Sequence, residues 1–548
     1  MRAFIFVMLT VVLLSGCGAP PPRTAADTAA PPLFATFGDL HRDIGSDVPA
    51  AQRYFDQGLR LAYGFNHEAA GRAFAEAARL DPDCAICVWG QALVLGPNIH
   101  LPMAPELAPQ ATALARKASS LAGNATPVDR ALIEALALRY QDPAPADRKA
   151  LDQAYVDAMA EVVARFPTDD DAQAMYAEAL MDLTPWNYWS PAGTPNADTP
   201  KILAAIETVL KRNPKHIGAI HYYIHAVEAS DDPARAEALA DTLGELAPGS
   251  GHLVHMPAHI YIRTGRYNDA TLANFRASTA DKDFLAVCGG SNGMYPLGYV
   301  PHNWHFATLS AGLMGARTLA TQASAQTLQR ADMAQLDTLN FMQHFVVVPM
   351  QTEVRFGQWD AILARAHPPA PQPYPTGIWH FARGMAQLRK GDIAEAQREL
   401  DALQRLADDP DLGGLMIGTT NLAGDLLKVG AGVLRGELAS SQGGHDEAIA
   451  SLRKAADLED RLTYNEPADW PLPVSNYLGN ALLKAQRPAE AAIAFQRDLR
   501  MFPKNGWGLY GLAQAQEALG DPQAAARTRE QFRSAWQWAD TELQAAVF

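Results

Sequence analysis

Cysteine is scarce in this chain, with four residues in 548. Only Cys84 and Cys87 lie close together in sequence, and no further Cys pair completes a zinc ribbon. Basic residues are also in deficit: 45 Lys and Arg stand against 60 Asp and Glu, for a formal net charge of −15. That argues against a nucleic-acid partner, which calls for a basic face. After the first few residues no apolar run reaches the roughly 20 residues needed to span a bilayer. There is no His-Glu-x-x-His motif and no phosphate-binding loop, and no Gly-x-Ser-x-Gly elbow is expected.

What the chain does have begins at its first residues. Arg2 supplies a minimal basic region and Ala3 to Leu14 run almost wholly apolar. The run is too short for a spanning helix and reads as a secretory signal. It ends in Leu14-Ser15-Gly16-Cys17, which resembles the bacterial lipobox. That resemblance implies cleavage before Cys17, lipidation of its thiol, and a protein held on a membrane surface outside the cytoplasm, the periplasmic side in a Gram-negative cell. Pro20-Pro21-Pro22 and the Ala/Pro-rich residues after it read as a disordered tether. In such an oxidising compartment Cys84 and Cys87 are expected to form a disulfide. A helix N-terminus would also lower a thiol's pKa, which leaves a redox role open.

From residue 51 onward a 34-residue period runs through the chain. Counting Ala51 as position 1, Gly58 falls at position 8, Ala70 at 20, Phe74 at 24, Ala77 at 27 and Pro82 at 32. Pro167, Pro214, Pro248 and Pro503 take position 32 of further units. Gly265, Gly315, Gly357, Gly391 and Gly520 take position 15, and Gly384, Gly436 and Gly479 take position 8. The pattern resembles the tetratricopeptide repeat, in which small residues let two antiparallel helices approach and proline ends the second. The resemblance implies an all-α solenoid of helix-turn-helix units. The chain then divides into a signal peptide (1–16), a lipidated disordered tether (17–50), N-terminal repeats with a histidine-lined groove (51–345) and C-terminal repeats (346–548). Insertions at Thr184–Pro200 and Leu285–Val300, rich in Trp and Tyr, flank the histidine-bearing repeats.

In the repeat family positions 2, 5, 9 and 12 of the first helix face the concave groove, and steps of three and four residues keep them on one face. The unit starting at Ile217 puts His221 at position 5, His225 at 9 and Glu228 at 12. The unit at Gly251 puts His252 at position 2, His255 at 5 and His259 at 9. The unit at Pro301 adds His302 and His305 at positions 2 and 5, and the next places His344 at position 2. With 15 histidines in 548 residues, the eight groove positions of the first two units should hold about 0.2 histidines, and they hold five. His67, His216, His380 and His445 fall elsewhere in their units and read as structural or surface residues.

Imidazole is the commonest protein metal ligand and suits zinc, copper or iron. Seven groove histidines (His221, His225, His252, His255, His259, His302 and His305) with Glu228 exceed one tetrahedral site. Either two ions bind, or some rings orient others. Two alternatives stay open. The histidines can form a structural hydrogen-bond network in a peptide- or protein-binding scaffold, or the cluster can serve a metal-dependent enzyme with Glu228 as ligand or base. The family's peptide clamp uses lysine and asparagine at positions 5 and 9. Histidine there puts carboxylate binding in doubt.

Overall fold

One large side chain wedged between two glycines locks each of several repeats. The computed structural model describes residues 30–548 except 192, 289–292 and 418–419; the expected signal segment and Cys17 lie outside the described residues. In the first helix pair, Pro49–Tyr63 and His67–Leu80, a Cβ on Gly58 would lie 2.6 Å from the Phe74 ring, and one on Gly90 of the next unit equally close. Phe495 sits in the same way between Gly479 and Gly511, at 2.5 and 2.3 Å, and Leu452 fills the same place against Gly436. Positions 8 and 24 of one unit and 6 of the next thus form a contact that a methyl group would break.

The punctuation follows the same period. Pro82, Pro167, Pro214, Pro248 and Pro503 each stand two residues past a helix end, at Leu80, Arg165, Arg212, Leu246 and Met501. The position-15 glycines 265, 315, 357, 391 and 520 all take positive φ, between 64° and 90°. The left-handed turn they make reverses the chain between paired helices. Among the described residues the only strands are Met416–Ile417 and Asn421–Leu422, a two-residue pairing in a loop. The fold is an all-α helical-repeat solenoid.

One feature differs from the sequence reading and two go beyond it. Residues 30–48 were expected to lie within a disordered tether, yet they pack against the first repeats. Phe37 is buried, and Arg42 bonds Asp129, Asp169 and Asp171 at 2.6–3.2 Å. These few side chains anchor a segment whose composition shows no period. The described residues of the 285–300 insertion are largely helical: Tyr267–Cys288 runs into it, and a π-helical turn at Tyr295–Tyr299 leads into Val300–Leu313. The superhelix also closes on itself. Trp507 Nε1 donates to the Gly312 carbonyl at 2.9 Å, Tyr267 OH donates to the Pro503 carbonyl at 2.7 Å, and Trp536 packs over Gly315. Cys84 and Cys87 are joined as a disulfide.

Candidate metal centre

The helix Ile217–Val227 has no exposed face, so its two histidines are buried whichever way they turn. His221 and His225 lie one turn apart on it, with Glu228 at its end. Gly251–His255 and Pro257–Thr264 continue one helical path past Met256, where Pro257 lacks an N–H to donate; they carry His252, His255 and His259. Val300–Leu313 carries His302 and His305.

The imidazoles are held from behind. His221 Nδ1 is 2.6 Å from the Tyr63 carbonyl oxygen, which can only accept, so the ring donates there. His255 Nδ1 is 2.7 Å from Asn274 Oδ1, while Asn274 spends its own donor on the Ala270 carbonyl. The two oxygens of Glu228 take His225 Nδ1 at 2.8 Å and His259 Nδ1 at 2.6 Å. Such backing by carbonyl and carboxylate fixes the tautomer and turns Nε2 forward as a ligand.

Forward, the Nε2 atoms meet. His255 and His259 approach to 2.9 Å, His221 and His252 to 3.1 Å, and His100 and His225 to 3.4 Å. Ligands at about 2.05 Å from one ion stand about 2.9 Å apart in square-planar and about 3.3 Å apart in tetrahedral geometry. The His221–His252 contact also closes as an ordinary N–H···N bond if His252 donates. His255–His259 closes in the same way if a protonated Glu228 donates to His259 Nδ1; with Glu228 ionised, both Nε2 atoms carry lone pairs, an arrangement that a bound cation would bridge.

Burial holds His221 down to about 3 and His255 to about 4. Burial, reinforced by neighbouring imidazoles, holds His225, His252, His259 and His302 well below the ordinary value. The cluster therefore presents neutral rings, the form that coordinates metal. Burial, with Glu466 adding to it, pushes the Glu228 carboxyl well above its usual range, against Arg263 and the Tyr464 hydroxyl.

Of the residues singled out from sequence, His221, His225, His252, His255, His259 and His302 converge. Glu228 stands behind two of the rings, at hydrogen-bond distance from their Nδ1 atoms. His305 stands apart: its ring faces His344 at 5.2 Å and Phe345 at 6.1 Å. His216 bonds Asp171 and caps its helix, and His380 bonds Glu399, as structural histidines do.

Several participants escaped the sequence reading. His100 enters from a loop turned by Asn98, whose side chain accepts from the His100 and Leu101 N–H groups. Phe65 and Trp186 hold positive φ, at 54° and 66°, and both rings lie against the histidines. Bulky residues in that region are costly and persist only where their surroundings fix them. Tyr464 and Glu466 reach Glu228 from the C-terminal repeats, more than 200 residues away. Against the expectation that no Gly-x-Ser-x-Gly is present, Gly289-Gly290-Ser291-Asn292-Gly293 spells it; the described element before it is the helix Tyr267–Cys288, where an elbow requires a strand.

No family model and no curated protein matches the sequence. Solved structures with some likeness include a human IFIT1 dimer with m7Gppp-AAAA, at 13% identity over 91% of this chain and 92% of that one, with a TM-score of 0.35. Yeast Tom70 is 11% identical over 88% and 92%, with a TM-score of 0.26. The APC/C hetero-tetramer Cut9-Hcn1 is 15% identical over 89% and 94%, with a TM-score of 0.27. Likeness this weak carries no argument about function.

Proposed function

We propose that this chain is a helical-repeat scaffold that binds a transition metal (zinc, copper or iron) through the histidine cluster of its inner groove. One observation carries the reading: neutral, buried imidazoles backed at Nδ1 turn their Nε2 atoms together at 2.9–3.4 Å. The half-buried rings of His100 and His302 supply an entry path from the rim. An open trough for a peptide finds less support, because Phe65, Trp186, Tyr299 and Phe306 pack against the rings from the chain itself. Elemental analysis of purified protein lacking its signal segment tests the reading. Stoichiometric metal is expected, falling in His255→Ala and His259→Ala with helicity retained. Protein that takes up no zinc, copper or iron, and variants that lose only stability, would leave a structural network.

The same proposal places the protein on a membrane surface outside the cytoplasm through lipid on Cys17, supported by Leu14-Ser15-Gly16-Cys17. Among the described residues no helix is long and apolar enough to cross a membrane. Cys17→Ser is expected to release the protein on membrane fractionation; unchanged retention would refute the anchor.

A further inference from the structure

The histidines repeat as a geometric figure. His221 and His225 occupy positions 5 and 9 of one unit, and His252 occupies position 2 of the next. Their ring centroids form a triangle with sides of 5.0, 4.8 and 6.4 Å. His255, His259 and His302 occupy positions 5, 9 and 2 in the same way, and their triangle has sides of 4.8, 4.8 and 6.1 Å. Two of the three interplanar angles are also near each other, 24° and 38° for the 9–2 pairs and 78° and 69° for the 5–2 pairs, while the 5–9 pairs differ at 55° and 77°. The figure begins a third time, with His305 at position 5 and His344 at position 2 of the next unit, rings 5.2 Å apart. There position 9 is Leu309, and the third triangle lacks a corner.

We infer that the groove holds two metal ions side by side, one at the first triangle, where His100 joins His225 and His252, one at His255, His259 and His302, and none at His305–His344. The inference rests on the metal-binding reading and adds the number and placement of the ions. The two sites are adjacent but unlike. Facing rings of the two sets, His225–His259 and His252–His255, are 5.1 and 5.7 Å apart. His100 brings a fourth imidazole to the first set, with one ring nitrogen each of His100, His225 and His252 within 4.8 Å of one another. His221 stands outside that mutual set and meets it through His252, Nε2 to Nε2 at 3.1 Å; a bound ion would have to draw it in to close a four-imidazole tetrahedral site. The second set, whose ligand atoms also lie within 4.8 Å, has three imidazoles, and the buried His302 Nε2 has no protein partner. Three ligands leave a position for water or a small ligand, as in catalytic sites. An imidazole-only donor set selects divalent ions of the later first row, copper binding tightest. Glu228 ties the sites mechanically, each of its oxygens holding one ligand from one triangle.

The test is native mass spectrometry of the full mature chain loaded with zinc and, separately, with copper(II), with the circular dichroism of every variant recorded. Two ions per chain are expected, falling to one in His302→Ala and to one in His252→Ala, with helicity unchanged. In case His252→Ala, which alters a fully buried position, fails to fold, His100→Ala in the surface loop is expected to weaken one ion and spare the other. Copper(II) at both sites should show spin coupling in electron paramagnetic resonance, replaced in His302→Ala by the signal of an isolated ion. One ion in the wild type would overturn the pairing and leave the metal reading standing, whereas none would overturn both. Three ions, or loss of both in His302→Ala, would overturn the assignment to two independent triangles.

Discussion

Replacing Glu228 with Gln separates a metal centre from a hydrogen-bonded core, because glutamine copies a protonated carboxyl group. In a metal-free network the buried carboxyl would be protonated. It would donate to one imidazole, accept from the other, and leave His255–His259 joined by an N–H···N bond. An amide supplies the same one donor and one acceptor, so Glu228→Gln should then change little. With ions bound, the carboxylate accepts from both Nδ1 atoms, at 2.8 and 2.6 Å, in a place almost fully closed to water. Each such bond to a charged group is worth about 1.5–3 kcal/mol. The amide can accept from only one ring. The other, His225 or His259, must take the tautomer with hydrogen on Nε2, which removes it as a ligand. The expected loss is about 10–100-fold in affinity for one ion, the range seen when a backing partner is removed. Stability of the metal-free protein should stay within about 1 kcal/mol of wild type or rise, since no charge is left to bury. Competition against a chelator measures the affinity and urea unfolding the stability. Unchanged affinity would refute the ionised, ligand-orienting Glu228.

Three further outcomes follow from the same geometry. Burial pushes Asp281 to about 7, against bonds from Tyr295 and Asn303; the native state then keeps a proton that the unfolded chain, near 3.9, has lost. Its contribution is full below about pH 4 and is lost as pH rises to 7, so wild type should lose about 4 kcal/mol relative to Asp281→Asn across that window in urea titrations. Gly315→Ala should cost at least about 2 kcal/mol in thermal unfolding, because its Cβ would lie 2.4 Å from Trp536 at φ 75°. At Gly520, also at 75° with open space around it, only the left-handed cost of about 1 kcal/mol is expected, and equal losses would refute the docking contact. Arg42→Ala leaves the buried Asp129 and Asp171 without their shared cation and should cost about 3–5 kcal/mol, whereas a loss under about 1 kcal/mol would refute the docked N-terminal segment.

The repeat was legible because its determinants are local. A glycine that must meet Phe74, a proline two residues past a helix end, and a glycine at positive φ each act within one unit and recur at its period. The packing of residues 30–48 was not legible, since Arg42 finds its carboxylates 87 to 129 residues away and no periodic signal announces them. Closure of the superhelix was hidden for the same reason. Its contacts join turns whose glycines already had a local explanation: a Cβ on Gly265 would meet the Pro503 carbonyl, and one on Gly357 would meet Phe548.

The site divides along the same line. Helical spacing predicts which rings share a face, and it brought six histidines to one groove. It treats positions 5 and 9 singly, however, whereas the structure uses them as corners of a figure completed by position 2 of the next unit. That is why His305 looked like a ligand: it obeys the position rule, but Leu309 stands where its partner would be. His100 breaks the rule in the opposite sense, reaching the cluster from a loop that belongs to no groove position. Tyr464 and Glu466 arrive only because the solenoid closes. A repeat pattern in sequence therefore defines the ligands that translation along the solenoid generates. The residues that make the two translated histidine triangles unlike, His100 beside one and none beside the other, come from contacts that translation does not produce.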